Sequence, residues 1–290
     1  MKSKKLIKSV SLVFPLYKDK NTVKEMVLNG LKILKKVSKK YEIIAVDDGC
    51  PENSGIIVKE FAKKNKNIKV IFHKKNIGYG AAIKTGFKKS KYNCIFAIDG
   101  DGEYDVNVLP KLLKKLENSD LVITRRHKKK YNTWRNIISW TYNFILRFLF
   151  NTTYQDISSG SRLVRKEILN KIKIDTHSPF LGAELTIKAK RLGFRVSEVG
   201  IHYYPTNFRS GSSVSLKNII LTIIDMLNLY VKLCIKKKVN SLDKSYKAEI
   251  LFISPDKYKN FENIVSKYEY INTMGSCNSY TPASFKKDTL

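Results

Sequence analysis

The sequence predicts an α/β fold in which a mostly parallel sheet is flanked by helices. Three observations carry that prediction. Through the first 125 residues, apolar runs of strand length alternate with stretches of helical spacing. Acids and glycines collect where the apolar runs stop. With 290 residues, 43% of them hydrophobic, the chain is long enough to bury a large core.

The elements follow in order. SVSLVFPLY (9–17) is a strand whose end carries a proline. Over 21–40, Val23, Met26, Val27, Leu31 and Leu34 recur at helical spacing. YEIIAVDDG (41–49) is a second buried strand, closed by two acids and a glycine. SGIIVKEFAKKN (54–65) is helical, IKVIFHK (68–74) is a third strand, and GAAIKTGFKKS (80–90) is helical again. NCIFAIDGD (93–101) is a fourth strand, a helix covers about 107–118, and DLVITRR (120–126) is a fifth strand.

Beyond 126 the pattern changes. A basic run, RRHKKK (125–130), precedes an amphipathic helix over 134–150. There Trp134, Ile137, Ile138, Ile145, Phe148 and Leu149 oppose a stripe of Arg135, Ser139, Asn143 and Arg147. A second amphipathic helix runs through 214–235, with a broad apolar face from Leu216 to Cys234 and a polar face of Asn218, Thr222, Asp225 and Lys232. Neither has the roughly 18–20 uninterrupted apolar residues of a membrane span. Two readings stay open: helices packed on the core, or helices lying in a lipid headgroup region with lysines on anionic lipid. The second segment is the better membrane candidate.

The formal charge is +30, from 55 Lys and Arg against 25 Asp and Glu. Such a charge favours anionic partners: nucleic acid, an anionic membrane face or phosphorylated substrates. Lysine scattered along the whole chain also fits a merely solvated surface. No recognition helix, zinc spacing or RNA motif accompanies the charge, so no nucleic-acid partner is expected. The four cysteines, Cys50, Cys94, Cys234 and Cys277, form no CxxC pair and fit a reducing setting. The basic, partly apolar N-terminus lacks the long apolar core and small-residue cleavage site of a signal peptide, and 11–16 reads better as strand.

Ligands of parallel α/β sheets bind beyond the carboxyl ends of the strands. Pro15, Asp47, Asp48, Asp99 and Asp101 all fall there. In AIDGDGEYD (97–105), Asp99 and Asp101 stand one residue apart at a strand end. A hard divalent cation such as Mg²⁺ or Mn²⁺ takes oxygen ligands of this kind and completes its shell with substrate phosphates. Gly100 and Gly102 let the backbone turn closely around it. An EF-hand counted from Asp101 fails, because its sixth position is Val106 rather than glycine. NIGYGAAIKTG (76–86) begins like a dinucleotide fingerprint at Gly78 and Gly80 but has Ile83 at the third position, which leaves a helix N-terminus beside a nucleotide phosphate as its reading.

VFPLYKD (13–19), IIAVDDGCPENSG (43–55), NIGYGAAIKTG (76–86), IDGDGEYD (98–105) and DISSGSRLVRKE (156–167), in this order and spacing, resemble the family 2 glycosyltransferases of the GT-A fold. Among these the chain is most similar to polyprenyl-phosphate (dolichol-phosphate) sugar transferases, over about residues 9–213. The resemblance implies a Rossmann-like, mostly parallel sheet with a C-terminal amphipathic helix. It implies a nucleotide-sugar donor, UDP- or GDP-linked, and a polyprenyl phosphate or glycan acceptor. The expected organisation is a catalytic region over 1–213, with a nucleotide-sugar half (9–126) and an acceptor half (127–213). A membrane-interfacial helix (214–238) and a tail (239–290) follow. The expected place is the cytoplasmic face of a membrane, attached peripherally.

The same resemblance implies the residue roles. Pro15, Tyr17 and Asp19 line the base and ribose pocket, Asp47 contacts the base or ribose with Asp48 beside it, and Gly78 and Lys84 lie near the nucleotide. Asp99, Gly100 and Asp101 form the metal motif. On electrostatic grounds, Arg125 or Arg126, and Arg162, are the candidate cations for the leaving diphosphate. Ser159 and Gly160 belong to the acceptor side, and Arg209, Gly211 and Ser213 lie near a lipid phosphate. For a hydroxyl acceptor a general base is required, with Glu184 first and Asp156 second. The chain departs from the family at Glu103 (commonly Gln), Asp19 (commonly Glu), Ser161 (commonly Phe) and Val214 (commonly Lys).

Overall fold

The computed structural model describes residues 7–127, 133–203 and 216–235. Along the chain run β1 (Ile7–Leu16), α1 (Val23–Val37), β2 (Ser38–Asp47), α2 (Ser54–Lys64), β3 (Ile68–Phe72), α3 (Tyr79–Lys89) and β4 (Cys94–Ala97). A 3-10 turn (Val106–Val108) leads into α4 (Leu109–Leu116), followed by β5 (Leu121–His127), α5 (Thr133–Phe150), β6 (Arg162–Arg165), α6 (Lys166–Lys171), α7 (Leu181–Arg191), β7 (Val196–His202) and α8 (Leu216–Tyr230). A π-helical turn, Val231–Ile235, continues α8.

The strands form one sheet in the order β3-β2-β1-β4-β6-β5-β7. All neighbours are parallel except β6, which runs antiparallel to both β4 and β5. Alternation along β1 and β2 divides the core between the two faces. Leu12, Phe14, Ile43 and Ala45 pack with α1 and α4, whereas Val13, Ile44 and Val46 pack with α3 and α7.

Two differences from the sequence reading have local causes. Helical spacing carried the first helix to residue 40, but α1 stops at Val37 and β2 begins at once. The Ser38 hydroxyl and amide both bond the Leu34 carbonyl, which closes the helix. The strand expected over 93–101 keeps regular pairing only through Ala97, with one further bond from the Ile98 amide to the Val13 carbonyl (3.0 Å).

By contact density the chain divides into two units: 1–144 with 154–226, and 145–153 with 227–290. The first holds the whole sheet. In the second, the rings of Phe150 and Tyr230 meet edge to face, with centroids 6.0 Å apart. Among the described residues, no helix is long and apolar enough to cross a membrane.

Candidate active site

Chain order reverses direction across the sheet between β1 and β4, which opens a crevice at their carboxyl ends. The turn with Asp99 and Asp101, the expected metal motif, lies there. Gly100 sits against the end of β1, where a Cβ would overlap the Pro15 carbonyl, and Thr22 bonds the Gly100 carbonyl (3.0 Å). β6 enters antiparallel, pairing Arg162 with Ala97 and Ile123. Segment 156–161 is thereby brought to the same sheet end. Gly160 abuts Asp99 so closely that a Cβ there would overlap the carboxylate.

The four acids of the turn have four different partners. Asp99 is partly exposed and accepts a bond from the Tyr79 hydroxyl (2.8 Å). Burial and the Asp99 charge raise the Tyr79 phenol well above its usual pKa, so it stays a donor. Asp101 is buried and accepts the Glu103 amide (3.0 Å). Glu103 accepts the Tyr203 hydroxyl. Asp105 caps the following turn through the Asn107 amide (2.8 Å). Among the described residues no three His, Cys, Asp or Glu side chains gather to hold a metal by themselves. One or two hard carboxylates beside glycines nonetheless fit a cation whose remaining ligands are substrate phosphates.

Of the residues expected on the nucleotide side, Asp47 and Asp48 are buried and shape loops. Asp47 accepts the amides of Cys50 (2.7 Å) and Gly55 (2.8 Å), which fixes the start of α2. Asp48 accepts the amides of Ile77 (3.1 Å) and Gly78 (2.8 Å) and meets His73 at 2.7 Å. Asp19 is buried and accepts the Tyr17 amide (2.9 Å), while Tyr17 stays exposed. Gly78 takes a φ of 103°, which a side chain would strain. The Gly80 amide bonds the His177 carbonyl (2.9 Å). Lys84 lies 3.5 Å from the Ile174 carbonyl. Its pKa is lowered by burial against the pull of Glu184, Asp175 and Asp225, so its charged surroundings are these acids.

Both candidate bases expected on the acceptor side are engaged by protein donors. Glu184 is fully buried and accepts bonds from the amides of Asp175 (2.9 Å) and Thr176 (3.0 Å), the Thr176 hydroxyl (2.6 Å) and Lys188. Burial pushes its pKa up, but these donors outweigh burial and hold it below the usual value. A carboxylate so engaged is a fixed structural anion and a weak base. Asp156 is buried and takes two bonds from the Arg126 guanidinium, each 2.7 Å. Arg126 is therefore committed to Asp156.

Arg162 is different. It is 3% exposed and bonds the Ser159 carbonyl, yet its Nη1 has no hydrogen-bond partner. Its guanidinium lies on α7 where Gly182 leaves room. A buried cation with an open N–H calls for an anion. Arg125 bonds Gln155 (2.7 Å) and keeps a buried, unpartnered Nε. Ser159 is buried against Thr124 (2.6 Å), and the Tyr104 hydroxyl accepts the Gly160 amide (2.9 Å). Arg209, Gly211 and Ser213 lie outside the described residues. The sequence reading missed Tyr79, Tyr104 and Tyr203, which resemble ordinary core aromatics. The one available signal was an aromatic residue set inside an acidic turn at Tyr104.

The family model for glycosyl transferase family 2 matches residues 11–173, more than half of the chain. The chain belongs to glycosyl transferase family 2. It is 28% identical over 173 residues to the undecaprenyl-phosphate mannosyltransferase of Micrococcus luteus, covering 56% of this chain and 71% of that one. It is 26% identical over 215 residues to the dolichyl-phosphate beta-glucosyltransferase of Dictyostelium discoideum, covering 67% of this chain and 66% of that one. Its fold matches glucosyl-3-phosphoglycerate synthase from Mycobacterium tuberculosis, solved with Mn²⁺, UDP and phosphoglyceric acid. The TM-score is 0.60 at 16% identity, covering 78% of each chain. This family 2 glycosyltransferase thus has the GT-A fold, with the crevice between β1 and β4 at its centre.

Proposed function

We propose that this glycosyltransferase moves a hexosyl group, with inversion, from a UDP- or GDP-linked sugar to a polyprenyl phosphate at the cytoplasmic face of a membrane. One observation carries the choice of acceptor. Both acids named as candidate bases are engaged by protein donors, while Arg162 is a buried cation whose Nη1 has no protein partner. A phosphate monoester is already ionised near neutral pH, because its second pKa is about 6. Such an acceptor needs a cation and little base catalysis. The names of the relatives support the same reading.

Asp99 and Asp101 would hold Mg²⁺ or Mn²⁺ against the donor diphosphate, where the ion would offset the charge that builds as the diphosphate leaves. Pro15, Tyr17 and Asp19 line the base side of the crevice, and Asp47 and Asp48 keep its loops in place. Arg162 and Arg125 supply fixed positive charge in a site shielded from water. Catalysis is assigned to 1–213, with the donor half over 9–126 and the acceptor half over 127–213. Membrane contact is assigned to 214–238, and 239–290 receives no role.

Membrane contact is further supported by which residues face out. On α5, Trp140 is 64% exposed and stacks on Phe144, also exposed, while Asn143 is buried. On α8, Ile220, Ile223 and Ile224 are exposed. Apolar rows turned outward suit a headgroup region where, among the described residues, no helix is long and apolar enough to span, and the net charge of +30 suits anionic lipid.

The test incubates purified protein and Mn²⁺ with UDP- and GDP-sugars, with and without a polyprenyl phosphate, and follows nucleotide diphosphate release and labelled lipid. Lipid-dependent turnover with one donor is expected. Transfer to a glycan hydroxyl with no lipid product overturns the acceptor assignment.

A further inference from the structure

We propose that Tyr104 and Tyr203 form a positioning pair that fixes both carboxylates of the metal turn, with Tyr203 acting through Glu103. This rests on the metal and donor assignment above.

The two residues are joined three ways. An isolated antiparallel bridge links their backbones. Their rings meet edge to face, 5.2 Å apart at 73°. Both are buried, so the contact excludes water. From this pair two arms reach the metal motif. In one, the Tyr203 hydroxyl donates to the buried Glu103 carboxylate, and the Glu103 amide donates to Asp101 (3.0 Å). In the other, the Tyr104 hydroxyl accepts the Gly160 amide (2.9 Å), and Gly160 abuts the Asp99 carboxylate. Each arm ends on a different aspartate.

The pair also ties the turn to the acceptor half. The Arg126 guanidinium lies over the Tyr203 ring at 5.5 Å and pairs with Asp156, at the head of the segment that carries Ser159 and Gly160. Displacing a catalytic group by about 1 Å costs on the order of 10²-fold in rate, so a rigid support under both carboxylates has functional weight. Glu103 takes its meaning from this arrangement. At this position the chain has an acid facing a phenol. The phenol supplies the donor that a buried carboxylate requires.

The test is a cycle of Tyr203→Phe, Glu103→Gln and the double variant. Mn²⁺ is titrated by calorimetry into each protein with UDP, and in parallel with GDP, and melting is followed without metal. Tyr203→Phe keeps the ring contacts but leaves Glu103 without its phenol donor, and Mn²⁺ affinity should fall roughly tenfold. Glu103→Gln still accepts from Tyr203 and should stay within about twofold. The double variant removes the stranded charge and should recover to within about threefold. In turnover, Tyr203→Phe should lower kcat as well as raise the donor KM. Wild-type Mn²⁺ affinity in Tyr203→Phe, or a loss that the second substitution does not rescue, overturns the proposal. A wild-type protein that binds Mn²⁺ with neither nucleotide overturns the donor assignment itself, and the positioning role falls with it.

Discussion

The 99–105 turn and the start of α7 both carry buried acids, and they do opposite things. Glu184 has four protein donors, one of them a lysine, and nothing left to offer a substrate. Asp99 is partly exposed, held by one phenol and pressed by one glycine. Residue type does not distinguish the two acids, and burial does so only in degree. The count of donors already supplied by the protein does, and a functional carboxylate is one that the fold leaves short.

The strongest test of that contrast is Asp101→Asn. Removing one charge from the turn should lower sugar transfer by on the order of 10³-fold, with melting and circular dichroism unchanged. Near-normal turnover would place the reacting diphosphate elsewhere. Next comes Gly160→Ala. The added methyl would overlap the Asp99 carboxylate and drive it from Tyr79. Because the obstacle is the tip of a side chain, stability should change little. Activity should still fall about 100-fold, read as kcat/KM beside a melting curve. Equal losses of both would mean that Gly160 serves packing alone.

How much of this was legible in the sequence depends on the range of the interactions. β1 to β5 were readable because period-2 runs and helical spacings are local, and the four acids and the proline at strand ends followed from them. β6 was missed because four residues, RLVR, carry almost no pattern, and its antiparallel direction depends on partners about 40 and 70 residues away. β7 was missed because its residues are mostly half-buried and blur the alternation. Within the site, residue type was readable and side-chain direction was not. Lys84 and Glu184 sit on the elements expected for them, yet they turn toward 174–176 and toward each other's charge. The tyrosines that hold the metal turn pair across as many as 100 residues, beyond any local signal.

Glu184→Gln probes the other side of the contrast. The amide would present a donor to donors from Asp175, Thr176 and Lys188, and unfolding should become easier by about 2 kcal/mol at neutral pH. Turnover at a temperature where the variant is folded should stay within about threefold. Loss of turnover without loss of stability would return Glu184 to the reaction and erase the distinction between the two acids.

The smallest effect is the pH dependence of that penalty. Glu184 has a folded-state pKa below its ordinary 4.5, so its anion is preferred in the folded chain. Its contribution is therefore fully present above 4.5 and is lost as pH falls through the lowered folded value. The gap in unfolding free energy between wild type and Glu184→Gln should accordingly be constant from neutral pH down to about 5 and narrow at more acid pH, as denaturant titrations at several pH values would show. A gap that instead narrows as pH rises above 5 would mean that Glu184 folds protonated. An acid that keeps its proton in a buried site is a candidate proton carrier, and the two regions would then differ in kind of chemistry rather than in its presence.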